Sequence, residues 1–265
     1  MTTALLMKTL AERSRSLLWW TVGIVVMGAF QLSVYPSIQQ DQEGFENLAD
    51  SFPEAMKLFF DIEGYTTPSG YLNIEMFSLV VPFVFLAVGV TAGAAATAGE
   101  EERGTLDLLL ALPITRIAVV LDKFAALTIV VGLLGLVTFG SLVLGTAVVG
   151  LEISLSLLAA GTAASAALGL LYGAVGLLIG AATGKRAAAV GGGVALALAA
   201  FLLESLAPAA SWLEPWQPLS PWHWLLGNQP VRFGLDYGYL ALSLAVTAVL
   251  VCAAALVFRR RDIST

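Results

Sequence analysis

Cysteine, histidine and charge are all scarce in this 265-residue chain. The single cysteine, Cys252, permits no internal disulfide and says little about redox compartment. The single histidine, His223, excludes a histidine cluster and is a poor metal or acid–base signal. Charged residues make up 12% of the chain, where a soluble domain carries about 25%. That shortage excludes an ordinary globular protein. A phosphate-binding loop is also missing. Gly184-Lys185-Arg186 has neither the upstream glycine spacing nor the following hydroxyl that cradles a nucleotide. The formal net charge of −6 and a pI near 4.8 argue against nucleic acid as a partner.

What the chain does have is apolar length. Hydrophobic residues are 58% of it, and the mean hydropathy is +0.86. A membrane span needs about 20 apolar residues. Runs free of Asp, Glu, Lys and Arg predict transmembrane helices at 17–35, 76–99, 124–148, 155–183, 187–206 and 237–258. The runs are continuous, unlike the alternating strands of about 10 residues that build barrels. The first is too long for the core of a cleaved signal peptide. The expected fold is therefore all-α: one polytopic transmembrane domain over 1–265. An amphipathic segment, 1–16, precedes the first span. Leu6, Leu10 and Leu17 recur there at helical spacing among Lys8, Arg13 and Arg15, which predicts an interface helix on the inner membrane surface. Outer loops fall at 36–74 and 207–236, and a cytoplasmic elbow at 100–116.

Charge sets the orientation. With both termini cytoplasmic, 11 basic and 7 acidic residues lie inside, for +4, and 2 basic and 12 acidic lie outside, for −10. Only Lys57 and Arg232 are basic and outside. This asymmetry supports an even number of spans in a cell (inner or plasma) membrane.

The first outer loop is acidic. Phe45, Leu48, Phe52, Met56, Phe59 and Phe60 predict a short amphipathic helix within it, followed by a turn at Thr67-Pro68-Ser69-Gly70. Its carboxylates, Glu75 among them, read first as a solvated face, with a metal or substrate site as the alternative. The second outer loop carries Trp212, Trp216, Trp222 and Trp224 between Pro208, Pro215, Pro218 and Pro221. That spacing forbids one continuous helix and predicts short interfacial or re-entrant helices in an aromatic belt.

The elbow is the most informative segment. Glu100, Glu101, Glu102, Arg103 and Gly104 lead to Thr105, Leu106, Asp107, Leu109 and Pro113. Thr105 can cap a helix, Asp107 suits its first turn, and Pro113 ends it. The helix would have about two turns and a length of roughly 12 Å. Thr115 can cap the next helix, which carries Arg116 and Lys123 into span three. Two readings of the elbow stand. Its leucines sit in the headgroup zone with the acids solvated, or they fill a groove on a soluble partner whose basic rim meets the acids.

The run from Glu101 to Arg116, then Asp122-Lys123, resembles the hallmark of the type-2 exporter permeases of ATP-binding cassette (ABC) transporters. The ending Phe258-Arg259-Arg260-Arg261-Asp262-Ile263 is similar to that family's usual close. The resemblance implies a membrane subunit that pairs with a second permease copy or paralogue and with two cytosolic ATPase subunits. The elbow would be the coupling helix and the N-terminal segment the connecting helix. ATP and Mg would sit on the ATPase, and this chain would hold no cofactor or metal. Glu100, Glu101, Glu102, Arg103, Gly104, Thr105, Leu106, Asp107, Leu109, Pro113 and Arg116 would carry the coupling.

The spans hold almost no ionisable groups. Glu204, at the outer end of span five, comes nearest. That argues against a proton- or ion-coupled carrier and against intramembrane hydrolysis. It fits an amphipathic or hydrophobic substrate moved outward by energy supplied from another polypeptide. A self-standing secondary transporter or channel is the alternative, and a scaffold or enzyme subunit ranks below it. Gly161, Ser165, Gly169 and Gly173 recur every four residues in span four, a pattern that lets helices approach closely. Such a ridge serves intramolecular packing, with a subunit interface as the sharper alternative. Pro82 predicts a kink in span two.

Overall fold

In the computed structural model of the chain, six helical stretches are long and apolar enough to cross a membrane. They are Ser14–Gln40, Pro68–Ala96, Arg116–Val149, Leu155–Thr183, Arg186–Ala209 and Tyr237–Arg260. The structure describes residues 2–40, 44, 51–53, 64–104 and 115–261, with the backbone alone for 2–13. No strand occurs among the described residues. The leucine-rich core of the elbow, 105–114, and most of the amphipathic stretch at 45–60 lie outside them.

Helix α1 runs unbroken over Thr2–Gln40. The predicted interface segment and the first span are thus one helix. Neither glycine nor proline intervenes between Thr2 and Trp20 to interrupt the backbone ladder.

Span two is assembled from pieces: α2 (Pro68–Leu72), a π-helical turn (Asn73–Phe77) and α3 (Val80–Ala96). The predicted turn at Thr67–Gly70 is instead a helix start. The Thr67 hydroxyl accepts from the Gly70 amide at 3.2 Å and Pro68 takes the first helical position. The irregularity expected at Pro82 lies one turn earlier. A proline ring clashes with the carbonyl four residues back, here Ser78. The chain opens at that point, and the Ser78 amide reaches five residues back to the Asn73 carbonyl at 2.7 Å. After α3, Thr97 breaks the helix before the short α4 (Ala98–Glu102).

Spans three to six are α5 (Arg116–Val149), α6 (Leu155–Thr183), α7 (Arg186–Leu206) and α10 (Tyr237–Arg260). Between the last two lie two 3₁₀ turns, Ala207–Ala209 and Glu214–Leu219, and two short helices, α8 (Pro221–Leu226) and α9 (Pro230–Phe233). Pro215, Pro221 and Pro230 each occupy a first turn, where their missing amide costs nothing. Trp212 and Trp216 are exposed, as a belt requires, but Trp222 is 3% exposed. Its ring packs on Phe83 and Phe201, with centroids 5.2 and 5.4 Å apart, so it belongs to the core.

Spans two and four form the centre of the bundle. In each, 61% of the most apolar stretch is buried, against 17–33% in the other four. Glycine lets their backbones touch. A Cβ on Gly89 or Gly93 of α3 would lie 2.8 or 2.9 Å from the carbonyl carbon of Gly169 or Gly173 of α6. Real side chains cannot sit that close to a backbone. Ser165, fully buried, donates to the Gly161 carbonyl at 2.9 Å, and Gly161 faces Phe77 and Val231. The stripe on α6 therefore faces other elements of this same chain. Spans one, three, five and six turn apolar side chains outward, among them Trp19, Val26, Phe30, Leu136, Val148, Leu196 and Val249.

Candidate functional site

The start of α5, the α6–α7 turn and the end of α10 converge on α4, and α1 contributes Ser16 beside them. Polar chemistry concentrates at this junction. Each of the three consecutive glutamates of α4 engages a different span.

Glu100 turns inward. Its Oε1 accepts from Lys123 Nζ of α5 at 2.6 Å, and the two side chains are 3% and 4% exposed. Arg103 approaches the same oxygen at 3.3 Å from a half-exposed position. Glu101 pairs with the guanidinium of Arg261, just past α10. That guanidinium also donates from Nη1 to the Ala181 carbonyl in the last turn of α6 at 3.0 Å. A cation there satisfies a helix C-terminus. Glu102 Oε1 accepts from the Arg186 amide at 2.8 Å, at the first residue of α7. A carboxylate is favoured there, where amides lack helical partners and the dipole is positive.

Two further groups close the ring. Thr115 caps α5, its hydroxyl accepting from the Ala118 amide at 3.2 Å. Arg116 donates to the carbonyls of Arg261 and Phe258 at 2.6 and 3.4 Å, covering the C-terminus of α10. Gly184, in the α6–α7 turn, has φ +65°. A Cβ on it would lie 2.7 Å from both carboxylate oxygens of Glu101 and would overlap Arg261. Gly104 ends α4 at φ +66°, and among the described residues nothing lies within 4 Å of where its Cβ would be.

The structure thus brings Glu100, Glu101, Glu102, Arg103 and Arg116 of the predicted set together. Thr105, Leu106, Asp107, Leu109 and Pro113 lie outside the described residues. The triplet was expected to stay solvated or to meet a partner's basic rim. Glu100 and Glu101 are engaged internally instead, because Lys123 and Arg261 offer opposite charge in a partly dry setting, while Glu102 stays exposed with one oxygen on the α7 amide. Lys123 and Arg261 were not among the expected coupling residues, although Lys123 stood in the Asp122-Lys123 pair of the resemblance. The Phe258–Ile263 ending was the one signal pointing at Arg261.

A cavity of about 280 Å³ opens beside the junction. Ser16 of α1, Thr91 and Ala95 of α3, Gly99 of α4, Lys123 and Arg186 lie along its wall. Its lining combines small residues of α3 and α4 with the charged Glu100, Glu102, Arg103, Lys123 and Arg186.

Two polar clusters sit at the opposite end. Glu75, in the π-helical turn, accepts from Tyr65 Oη and Gln31 Nε2, both at 2.6 Å. It is half-buried rather than a solvated acid. Burial, then the neighbouring Glu75, pushes the Tyr65 phenol well above its usual range. His223, expected to stand alone, has its Nδ1 3.1 and 3.2 Å from the two carboxylate oxygens of Glu204. Nineteen residues separate them, so no local spacing could have shown the pair. Among the described residues no group of His, Cys, Asp and Glu could hold a metal ion.

The family model described as ABC-2 family transporter protein matches residues 3–263. No curated protein matches the chain.

Proposed function

The chain belongs to the ABC-2 family of transporter proteins, and from that premise we propose that it is the permease subunit of an exporter driven by ATP hydrolysis on separate cytosolic ATPase subunits. Membership over nearly the full length is the observation that carries this reading. Both termini and the elbow would face the cytoplasm, in a cell (inner or plasma) membrane. Eleven basic residues on that side support this orientation.

The permease would work with two ATPases and with a second permease copy or paralogue. Leu106 and Leu109 of the elbow would enter a groove on the ATPase, with Thr105, Asp107 and Pro113 shaping the short helix that presents them. Arg103 and Gly104 would let that helix leave α4 at an angle. An amphipathic or hydrophobic substrate would pass between two six-span bundles, alongside spans one, two and five. The cavity beside the junction supports that route, since Ser16, Thr91, Ala95 and Arg186 of those spans line it. Glu75 and Glu204 are each engaged near the far end of a span, away from the bilayer centre where ion-coupled carriers hold their carboxylates.

Leu106→Asp and Leu109→Asp test the docking. Each should abolish co-purification of the ATPase while the permease stays in the membrane. A variant that still co-purifies with full ATPase activity overturns it.

A further inference from the structure

Docking alone does not move a bundle. The elbow must also grip the helices it is to displace. We propose that the glutamate triplet is an internal clamp rather than an ATPase contact, and that Glu101 and Arg261 are the positioning residues that transmit elbow motion to the bundle. This inference rests on the exporter reading above.

Four observations carry it. First, α4 is separated from α3 by a break at Thr97, so a displaced elbow can pivot without bending span two itself. Second, the three acids leave α4 toward three different helices: Glu100 to α5, Glu101 to the end of α10, and Glu102 to the start of α7. Consecutive residues on a helix point about 100° apart, so three in a row reach three neighbours where one acid would reach one. Third, Arg261 does not end at Glu101. Its guanidinium continues to the Ala181 carbonyl, and its own carbonyl is held by Arg116. Spans three, four and six are therefore tied through this one residue. Fourth, the fold leaves room for it. Gly184 lacks the side chain that would displace both Arg261 and Glu101. Removing Glu101's charge would free Arg261 from α4 while Glu100 and Glu102 still hold spans three and five. The expected lesion is thus weakened transmission to spans four and six, left to the Arg116–Arg261 contact alone, with docking intact.

The test uses the full complex of permease and ATPase in lipid nanodiscs. Hydrogen exchange is followed across 230–240, the entry to span six at the far end of the bundle, with and without ATP and vanadate. Wild type should show a nucleotide-driven change there. Glu101→Gln should lose most of that change while the ATPase still co-purifies. Glu101→Asp, which keeps a carboxylate for Arg261 and leaves the Arg261–Ala181 bond intact, should retain it, a charge dependence that simple loss of stability does not give. A folded Glu101→Gln with the full wild-type change overturns the proposal. So does a folded Glu101→Asp without it, or failure of both variants to reach the membrane, since a purely structural bond then suffices. If wild type itself neither retains an ATPase nor responds to nucleotide, the exporter reading fails and this inference falls with it.

Discussion

Substitutions at Glu100 and Lys123 should be unequal in cost. The pair sits at 2.6 Å, where the Coulomb attraction is about 6 kcal/mol at an effective dielectric near 20. Desolvation of both groups offsets most of that, so the pair adds little net stability. Removing one member is different, because it strands a buried charge at about 3–5 kcal/mol. The two strandings are not alike. Glu100 serves two cations, Lys123 at 2.6 Å and Arg103 at 3.3 Å, and the Arg103 side chain is 55% exposed and able to move in. Among the described residues Lys123 faces one carboxylate and is 4% exposed. Glu100→Gln should therefore cost near the top of that range, about 5 kcal/mol, and Lys123→Met near the bottom, about 3 kcal/mol. The double variant should cost clearly less than the two singles together, since it strands nothing. Unfolding by detergent titration, followed by loss of helical signal, reads all three. Single costs below about 1 kcal/mol would refute the buried-pair reasoning. So would a larger loss from Lys123→Met than from Glu100→Gln.

Other substitutions probe the rest of the account. Gly93→Val should push α3 off α6 and destabilise by at least about 1–3 kcal/mol, read by thermal unfolding in mild detergent. Gly132→Ala, with no described residue within 4 Å of its Cβ, should be neutral or stabilising by up to about 1 kcal/mol. If both behave alike, close backbone approach is not what holds spans two and four. Gly184→Ala combines a left-handed backbone with overlap on Arg261, and should cost about 1–3 kcal/mol. A wild-type melting curve would contradict the crowding at that turn. His223→Phe should leave Glu204 without the ring nitrogen it faces and lower stability by about 1–3 kcal/mol. Recovery on adding Glu204→Gln would identify the stranded carboxylate as the cause.

The six spans were legible because a charge-free run is a local signal, complete within about 20 residues. The junction was not, because its contacts join distant parts of the chain. Glu101 and Arg261 are 160 residues apart, and His223 and Glu204 are 19. Three adjacent glutamates read as an exposed acidic face until the fold supplies their counter-charges. Local chemistry was misjudged where two signals share residues. Thr67-Pro68-Ser69-Gly70 suits a turn and a capped helix start equally, and the span that follows decides for the helix. Pro82 was rightly a breaker, but its clash acts at the carbonyl of Ser78, so the break appears at 73–79. Trp222 followed its neighbours into the interfacial belt on composition, while Phe83 and Phe201 draw it into the core.

The central claim is that another polypeptide's ATP hydrolysis drives this permease. Its most direct measurement is transport of a fluorescent amphiphile into inverted membrane vesicles containing the permease and its ATPase. Uptake should require ATP, stop with vanadate and persist when ion gradients are collapsed. Uptake by vesicles holding this chain alone, driven by a proton or sodium gradient without ATP, would contradict it.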